Sequence, residues 1–172
     1  MEKVLGSFWN FIEKILHFIF VKILHIKMEK ETWENFLQFV KFGLVGVSNS
    51  VVSYGIYIAS LLIFQNAGIF KHNDYLIAQF IGFLLSVLWS FYWNKKFVFE
   101  VDDKDVSWVR MLLKTYASYA FTGIFLNTIL SILWVQYLGI SKVVAPIINL
   151  LINVPLNFIL NKFWAFKNNA CI

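Results

Sequence analysis

The sequence has few charged residues and one cysteine, and both shortages limit what the protein can be. Only 15% of its 172 residues are charged, while 59% are hydrophobic, against roughly 45–50% apolar residues in ordinary soluble domains. Because a chain with so few polar residues cannot cover its surface with polar groups in water, we expect an integral membrane protein. The formal charge of +5 then favours anionic lipid over nucleic acid as a partner. The lone Cys171 excludes an internal disulfide.

The sequence also lacks the motifs of enzymes that act on nucleotides or sugars. It has no Asp-x-Asp motif, no glycine-rich phosphate loop and no nucleophile beside a base, and we therefore expect no enzyme activity, no cofactor and no metal site. No carboxylate lies inside a long apolar stretch, which argues against a small proton-coupled multidrug exporter. Charged residues interrupt the first apolar stretch, so no cleavable signal peptide is expected.

Four apolar stretches are long enough to cross a bilayer, whose hydrocarbon core needs about 20 helical residues. They are residues 42–64, 76–93, 111–138 and 143–160, and none contains Asp or Glu. All but two of the 15 Lys and Arg residues lie on one side of these spans, the exceptions being Lys71 and Lys142. Because positively charged loops stay in the cytoplasm, we expect a multi-pass protein of the cytoplasmic (inner) membrane with both termini cytoplasmic.

The first apolar stretch, residues 4–26, has its polar residues on one helical side. That pattern predicts an amphipathic helix lying in the membrane interface. A fifth span is the alternative, but Glu13, Lys14, His17 and Lys22 near its middle are costly in hydrocarbon. We therefore expect an interfacial segment at 1–35, a four-helix membrane domain at 36–167 and a short tail at 168–172.

An internal repeat relates the second and fourth spans. Residues 77–99 align with 144–166 at a shift of 67 positions, and the exits from the spans read NKKFVF at 94–99 and NKFWAF at 161–166. The first and third spans match more weakly, at a shift of 77. These matches predict an all-α four-helix bundle built from two parallel two-helix repeats.

The fourth span carries four asparagines at intervals of four residues: Asn149, Asn153, Asn157 and Asn161. Successive side chains turn by only about 40°, so they form one polar stripe. The equivalent positions of the second span are small or polar, ending in Asn94. Such a stripe is explained either by interhelical packing or by a hydrophilic path for a lipid head group, and the sequence leaves both open.

Cations flank the two exit motifs. A phosphate at the interface needs amide donors and cations in fixed positions, which makes candidates of Asn94 and Asn161 together with Lys41, Lys95, Lys114 and Lys162. Lys142 precedes the fourth helix at the opposite side, where its charge and the positive end of the helix dipole favour an anion. The alternative for these lysines is an ordinary aromatic and basic belt that sets topology.

The sequence resembles the GtrA-like family of small four-span membrane proteins. The resemblance is carried by FVKFGLVG at residues 39–46 and by the two exit motifs, and covers roughly residues 36–167. Lys95 and Lys162 stand where the family more often has arginine, which keeps the charge but loses bidentate phosphate geometry.

The resemblance implies translocation or presentation of a polyprenyl-phosphate-linked monosaccharide for glycosylation of cell-surface polysaccharide or teichoic acid. The implied partners are that lipid-linked sugar, membrane lipids and membrane glycosyltransferases. Whether the chain also pairs with a second copy of itself is left open by the sequence. The implied binding residues are the cations and asparagines above. The alternative is a scaffold that holds a glycosyltransferase and never touches the lipid phosphate.

Overall fold

A computed structural model describes residues 2–70, 73–101, 107–141 and 144–167. The α-helices are α1 (Glu2–His17), α2 (Lys30–Ala67), α3 (Asp74–Trp93), α4 (Trp108–Ala120), α5 (Asn127–Ile132) and α6 (Ala145–Leu160). Wider π-helical turns follow α1 at Phe18–Ile23, α3 at Asn94–Val98, α4 at Phe121–Leu126, α5 at Leu133–Tyr137 and α6 at Asn161–Ala165.

Within the described residues, four continuous helical segments are long and apolar enough to cross a membrane, which confirms the predicted all-helical four-span architecture. They are span 1 (Lys30–Ala67), span 2 (Asp74–Val98), span 3 (Trp108–Tyr137) and span 4 (Ile147–Ala165). The chain is a multi-pass membrane protein.

The chain divides into two compact units, Met1–Val40 and Lys41–Ile172. Within the first unit, Trp33 packs edge-on against His17 with ring centroids 5.8 Å apart, and Phe20 packs against Phe36 at 4.9 Å. Phe8, Phe11 and Ile15 lie on the other side of α1 and are exposed. The placement of this helix in the membrane interface stays a prediction.

The second unit buries polar side chains beside apolar ones and exposes many large apolar side chains. Its fully buried side chains include Ser90, Thr115, Thr122 and Asn161, while Ile63, Leu113 and Leu151 are more than half exposed. Large exposed apolar patches are rare on soluble monomers, but this surface matches lipid tails. Small buried residues also let helices approach closely: a Cβ added to Gly82 of span 2 would lie 3.0 Å from the Ser53 carbonyl oxygen of span 1.

Candidate functional site

A cavity of about 1130 Å³ lies among the four spans of the second unit. We call it the lateral cavity. Its lining comes from all four spans: Phe42, Gly43, Gly46, Val47, Asn49, Ser50, Ser53, Tyr54, Tyr57, Gln79, Phe83, Ser86, Val87, Tyr119, Thr122, Gly123, Leu150, Asn153, Val154 and Asn157. No described lining residue carries a charge, so this cavity offers hydrogen bonds and aromatic faces rather than ion pairs.

Three residues that line the lateral cavity carry an amide oxygen without a partner. The Oδ1 atoms of Asn49, Asn153 and Asn157 are buried without a hydrogen-bond partner among the described residues. An unpaired buried polar group is costly in a low-dielectric interior. These three acceptors therefore favour an occupant that donates hydrogen bonds, as hydroxyl groups do.

The lateral cavity is long and open to the lipid-facing surface. Its lining on span 1 runs from Phe42 to Tyr57, and 15 helical residues rise about 22 Å, against a hydrocarbon core of ~30 Å. Val47 and Tyr54 on span 1 and Leu150 on span 4 line it and are 60–67% exposed. A head group inside it can thus stay attached to a tail that remains in lipid.

Both exit motifs adopt the same local backbone. Asn94–Val98 and Asn161–Ala165 are π-helical turns, closed by the N–H of Phe99 donating to the Asn94 carbonyl at 2.9 Å and the N–H of Phe166 donating to the Asn161 carbonyl at 2.8 Å. The two asparagine side chains are fully buried, and the Oδ1 of each lacks a partner among the residues described. We call this end of the bundle the motif end.

Five phenylalanine rings form a column across the motif end. In order they are Phe91, Phe166, Phe99, Phe158 and Phe42, with neighbouring centroids 5.6, 4.7, 6.1 and 5.5 Å apart. The first four rings stack at 21–24° and Phe42 meets Phe158 edge-on. Phe42 also lines the lateral cavity, so this aromatic column borders the cavity at the motif end.

The predicted cations lie at the motif end rather than in the cavity. Lys41 Nζ is 3.0 Å from Glu100 Oε1, and Lys114 donates to the Trp164 carbonyl at 3.0 Å. Lys162 Nζ lies 5.5 Å from the Phe158 ring centroid, and Lys95 is half-buried. The structure therefore brings these four lysines to the motif end, with Lys162 over one ring of the aromatic column, but does not join them to the asparagine stripe in one surface.

Contacts at the motif end come in pairs that support the predicted repeat, which itself stays a prediction. Phe91 stacks on Phe166 and its counterpart Phe158 stacks on Phe99, both at 24°. Lys41 lies over the Phe97 ring at 5.0 Å, and Lys114 lies over the Trp164 ring at 5.7 Å. Since Phe97 and Trp164 are repeat partners, this pairing relates spans 1 and 3 by 73 positions, rather than by the 77 that the sequence favoured.

The asparagine stripe divides into a packing part and a cavity part. Asn149 is 2% exposed and tied to span 3: its Nδ2 donates to Asn127 Oδ1 at 2.8 Å and Ser131 Oγ at 2.7 Å, and its Oδ1 accepts from Trp134 Nε1 at 2.9 Å. Asn153 and Asn157 line the cavity instead. Asn161 lies behind them, donating to the Asn157 carbonyl at 2.8 Å. Lys142 lies outside the described residues.

Sequence reasoning missed much of the cavity wall on span 1. Gly43, Gly46, Ser50 and Ser53 follow one another at helical spacing and all line the cavity, and this run of small residues was the available signal. It also missed Tyr119 of span 3, whose hydroxyl lies 2.7 Å from Ser90 Oγ and accepts from Asn94 Nδ2 at 3.3 Å. Nothing in its local sequence marks that tyrosine as special.

Comparison with known proteins gives one family and several relatives. The sequence matches the family described as GtrA/DPMS, transmembrane domain, over residues 41–166. It is 32% identical over 96 residues to the cell wall teichoic acid glycosylation protein GtcA of Listeria monocytogenes, covering 55% of this chain and 65% of that protein. It is 31% identical over 137 residues to the dolichol-phosphate mannosyltransferase of Pyrococcus furiosus, covering 77% of this chain and 36% of the enzyme.

A third relative is matched over most of its length. The chain is 27% identical over 133 residues to the membrane protein YngA of Bacillus subtilis, covering 75% of this chain and 79% of YngA. The matched part is less than two thirds of the length of the Listeria and Pyrococcus proteins.

Proposed function

The chain belongs to the GtrA/DPMS transmembrane-domain family, and on that premise we propose that it translocates or presents a polyprenyl-phosphate-linked monosaccharide across the cytoplasmic membrane. The sugar then serves glycosylation of a cell-surface polysaccharide or teichoic acid. The names of two relatives, one a teichoic acid glycosylation protein and one a dolichol-phosphate mannosyltransferase, support a lipid-linked sugar as the cargo.

The lateral cavity is the observation that carries this proposal. A bilayer opposes the crossing of a sugar because its hydroxyl groups lose their hydrogen bonds to water. The unpaired oxygens of Asn49, Asn153 and Asn157 replace some of those bonds. The opening beside Val47 and Tyr54 lets the polyprenyl tail remain in lipid while the head group moves.

The lysines of the motif end supply a place for the phosphate before the crossing. Lys41, Lys95, Lys114 and Lys162 would hold the phosphate in the cytoplasmic leaflet, in the orientation set by the basic residues. On the far side, Lys142 would serve the same purpose. In this scheme the chain does no covalent chemistry, and membrane glycosyltransferases load and unload the lipid.

Binding to the purified protein tests this proposal against the scaffold alternative. Wild-type protein in lipid nanodiscs is expected to bind a short-chain polyprenyl phosphate carrying glucose, measured by native mass spectrometry. Asn153→Leu with Asn157→Leu should weaken that binding, because leucine keeps the branched shape of asparagine but removes two amide acceptors from residues that line the cavity. Asn66→Leu, outside the cavity on span 1, is the control and should bind as wild type does.

The scaffold alternative makes the opposite prediction. A protein that only holds a glycosyltransferase would not bind the lipid-linked sugar, and the double variant would behave as the wild type does in every assay. Either result would remove the transport proposal.

A further inference from the structure

One pair of equivalent positions in the two halves of the bundle differs in a way that bears on the lateral cavity. Aligning span 1 with span 3 at a shift of 73 positions makes Gly46 the equivalent of Tyr119. Aligning span 2 with span 4 at a shift of 67 positions makes Asn157 the equivalent of Ser90 and Asn161 the equivalent of Asn94. These registers come from the paired lysine–ring and ring–ring contacts at the motif end.

In the half built from spans 2 and 3, a tyrosine hydroxyl is held by the bundle itself. Tyr119 OH lies 2.7 Å from Ser90 Oγ and 3.3 Å from Asn94 Nδ2. Asn94 Nδ2 also donates to Ser90 Oγ at 3.1 Å. The three groups form a closed cluster around one hydroxyl.

In the half built from spans 1 and 4, the hydroxyl is missing, and two asparagine amides stand at the positions of Ser90 and Asn94. Gly46 has no side chain, and a Cβ added there would meet no atom within 4 Å. Asn157 Oδ1 and Asn161 Oδ1 are buried and have no partner within the described part of the chain. Gly46 and Asn157 both line the lateral cavity, so the open place faces the proposed head-group path.

We propose that Gly46 and Asn157 form a subsite for a hydroxyl group of the lipid-linked sugar, in the place that Tyr119 OH occupies in the other half. This inference rests on the proposed function and deepens it. The Asn157 amide turns so that its buried Oδ1 meets the cavity, and the sugar hydroxyl donates to that oxygen. Gly46 leaves the room for the sugar ring. The subsite recognises the sugar and not the phosphate, because none of the described residues that line the cavity is a cation.

The test compares two lipids and two glycine variants. The probes are a short-chain polyprenyl phosphate carrying glucose and the same polyprenyl phosphate without sugar, bound to protein in nanodiscs. Gly46→Tyr fills the subsite with a ring, and Gly55→Tyr is the matched control, because Gly55 is on the same span, has open space around it and does not line the cavity. The measured quantity is the preference for the glucose-bearing lipid over the bare lipid.

Wild type and Gly55→Tyr should prefer the glucose-bearing lipid, and Gly46→Tyr should lose about tenfold of that preference while binding the bare lipid as before. Gly46→Tyr with an undiminished preference would overturn the subsite and leave the proposed function standing. Wild type that binds neither lipid would overturn both. If Gly46→Tyr does not fold, Asn157→Leu decides: it must lose the preference, and retention of the preference refutes the subsite.

Discussion

Asn149 and Asn157 lie two helical turns apart on span 4, and we predict that replacing each by leucine has a different effect. Asn149→Leu should destabilise the bundle, because its amide bridges to span 3. Asn157→Leu should leave stability unchanged and impair the handling of lipid-linked sugar, because Asn157 lines the lateral cavity and its Oδ1 has no partner among the described residues.

The magnitude for Asn149 follows from its hydrogen bonds. Asn127, Ser131 and Trp134 contact its side chain at 2.8, 2.7 and 2.9 Å. Interhelical side-chain hydrogen bonds in membranes average about 0.6 kcal/mol each, so the loss of three amounts to roughly 2 kcal/mol of unfolding free energy. Leucine also leaves the Trp134 N–H without its acceptor, which adds to the cost.

The assay is reversible unfolding in mixed micelles with increasing denaturing detergent, followed by tryptophan fluorescence, with each variant also tested for lipid binding. Trp134→Phe in the Asn149→Leu background completes a double-mutant cycle. If the bond is real, the second change costs less in that background than in the wild type.

Two results would refute this division of the stripe. One is an Asn157→Leu variant that loses as much stability as Asn149→Leu. The other is an Asn149→Leu variant with wild-type stability and no binding of lipid-linked sugar, since Asn149 would then belong to the head-group path.

Three further predictions concern topology, the aromatic column and Lys41. In a Cys171→Ser background, cysteines at Asn73 and Ser107 should react with an impermeant thiol reagent from opposite membrane faces; labelling of both from one face would contradict the four-span topology. Phe158→Ala breaks the aromatic column, so a cysteine at Ser50 in the cavity should be labelled from the motif end faster than in the protein that keeps Phe158. Equal labelling rates would show that the column is no barrier. Glu100→Gln removes the carboxylate 3.0 Å from Lys41 Nζ, so polyprenyl phosphate should bind more tightly to the variant in nanodiscs. The unfolding free energy should change by under about 1 kcal/mol. Weaker binding would argue against Lys41 as a phosphate ligand.

The sequence was sufficient for the spans, because 18 or more apolar residues without carboxylates have few other uses. The asparagine stripe followed from the four-residue spacing in the same way. The sequence did not show which asparagines pack between helices and which line a cavity. Asn149 and Asn157 differ by about 80° around the helix, and only the position of span 3 decides that Asn149 meets Trp134.

The aromatic column and the subsite lay beyond sequence reasoning for a different reason. Phe99 and Phe166 end the two exit motifs, and Phe91 and Phe158 lie three residues before the motifs begin. The order of these rings across the bundle depends on how spans 2 and 4 interdigitate. Gly46 contributes to the subsite by having no side chain. That absence is recognised only when Gly46 is compared with its equivalent in the other half, Tyr119, whose hydroxyl is held by the bundle.

Accessibility of a lipid-linked sugar in reconstituted vesicles tests translocation most directly. A fluorescent short-chain polyprenyl phosphate carrying glucose is placed in both leaflets, and an impermeant reductant is added outside to bleach the exposed probe. Vesicles with wild-type protein should lose nearly all fluorescence, whereas empty vesicles and vesicles with the Asn153→Leu, Asn157→Leu double variant should keep the inner-leaflet share. Retention of that share by wild-type vesicles, with protein shown to be folded and inserted, would contradict translocation by this chain.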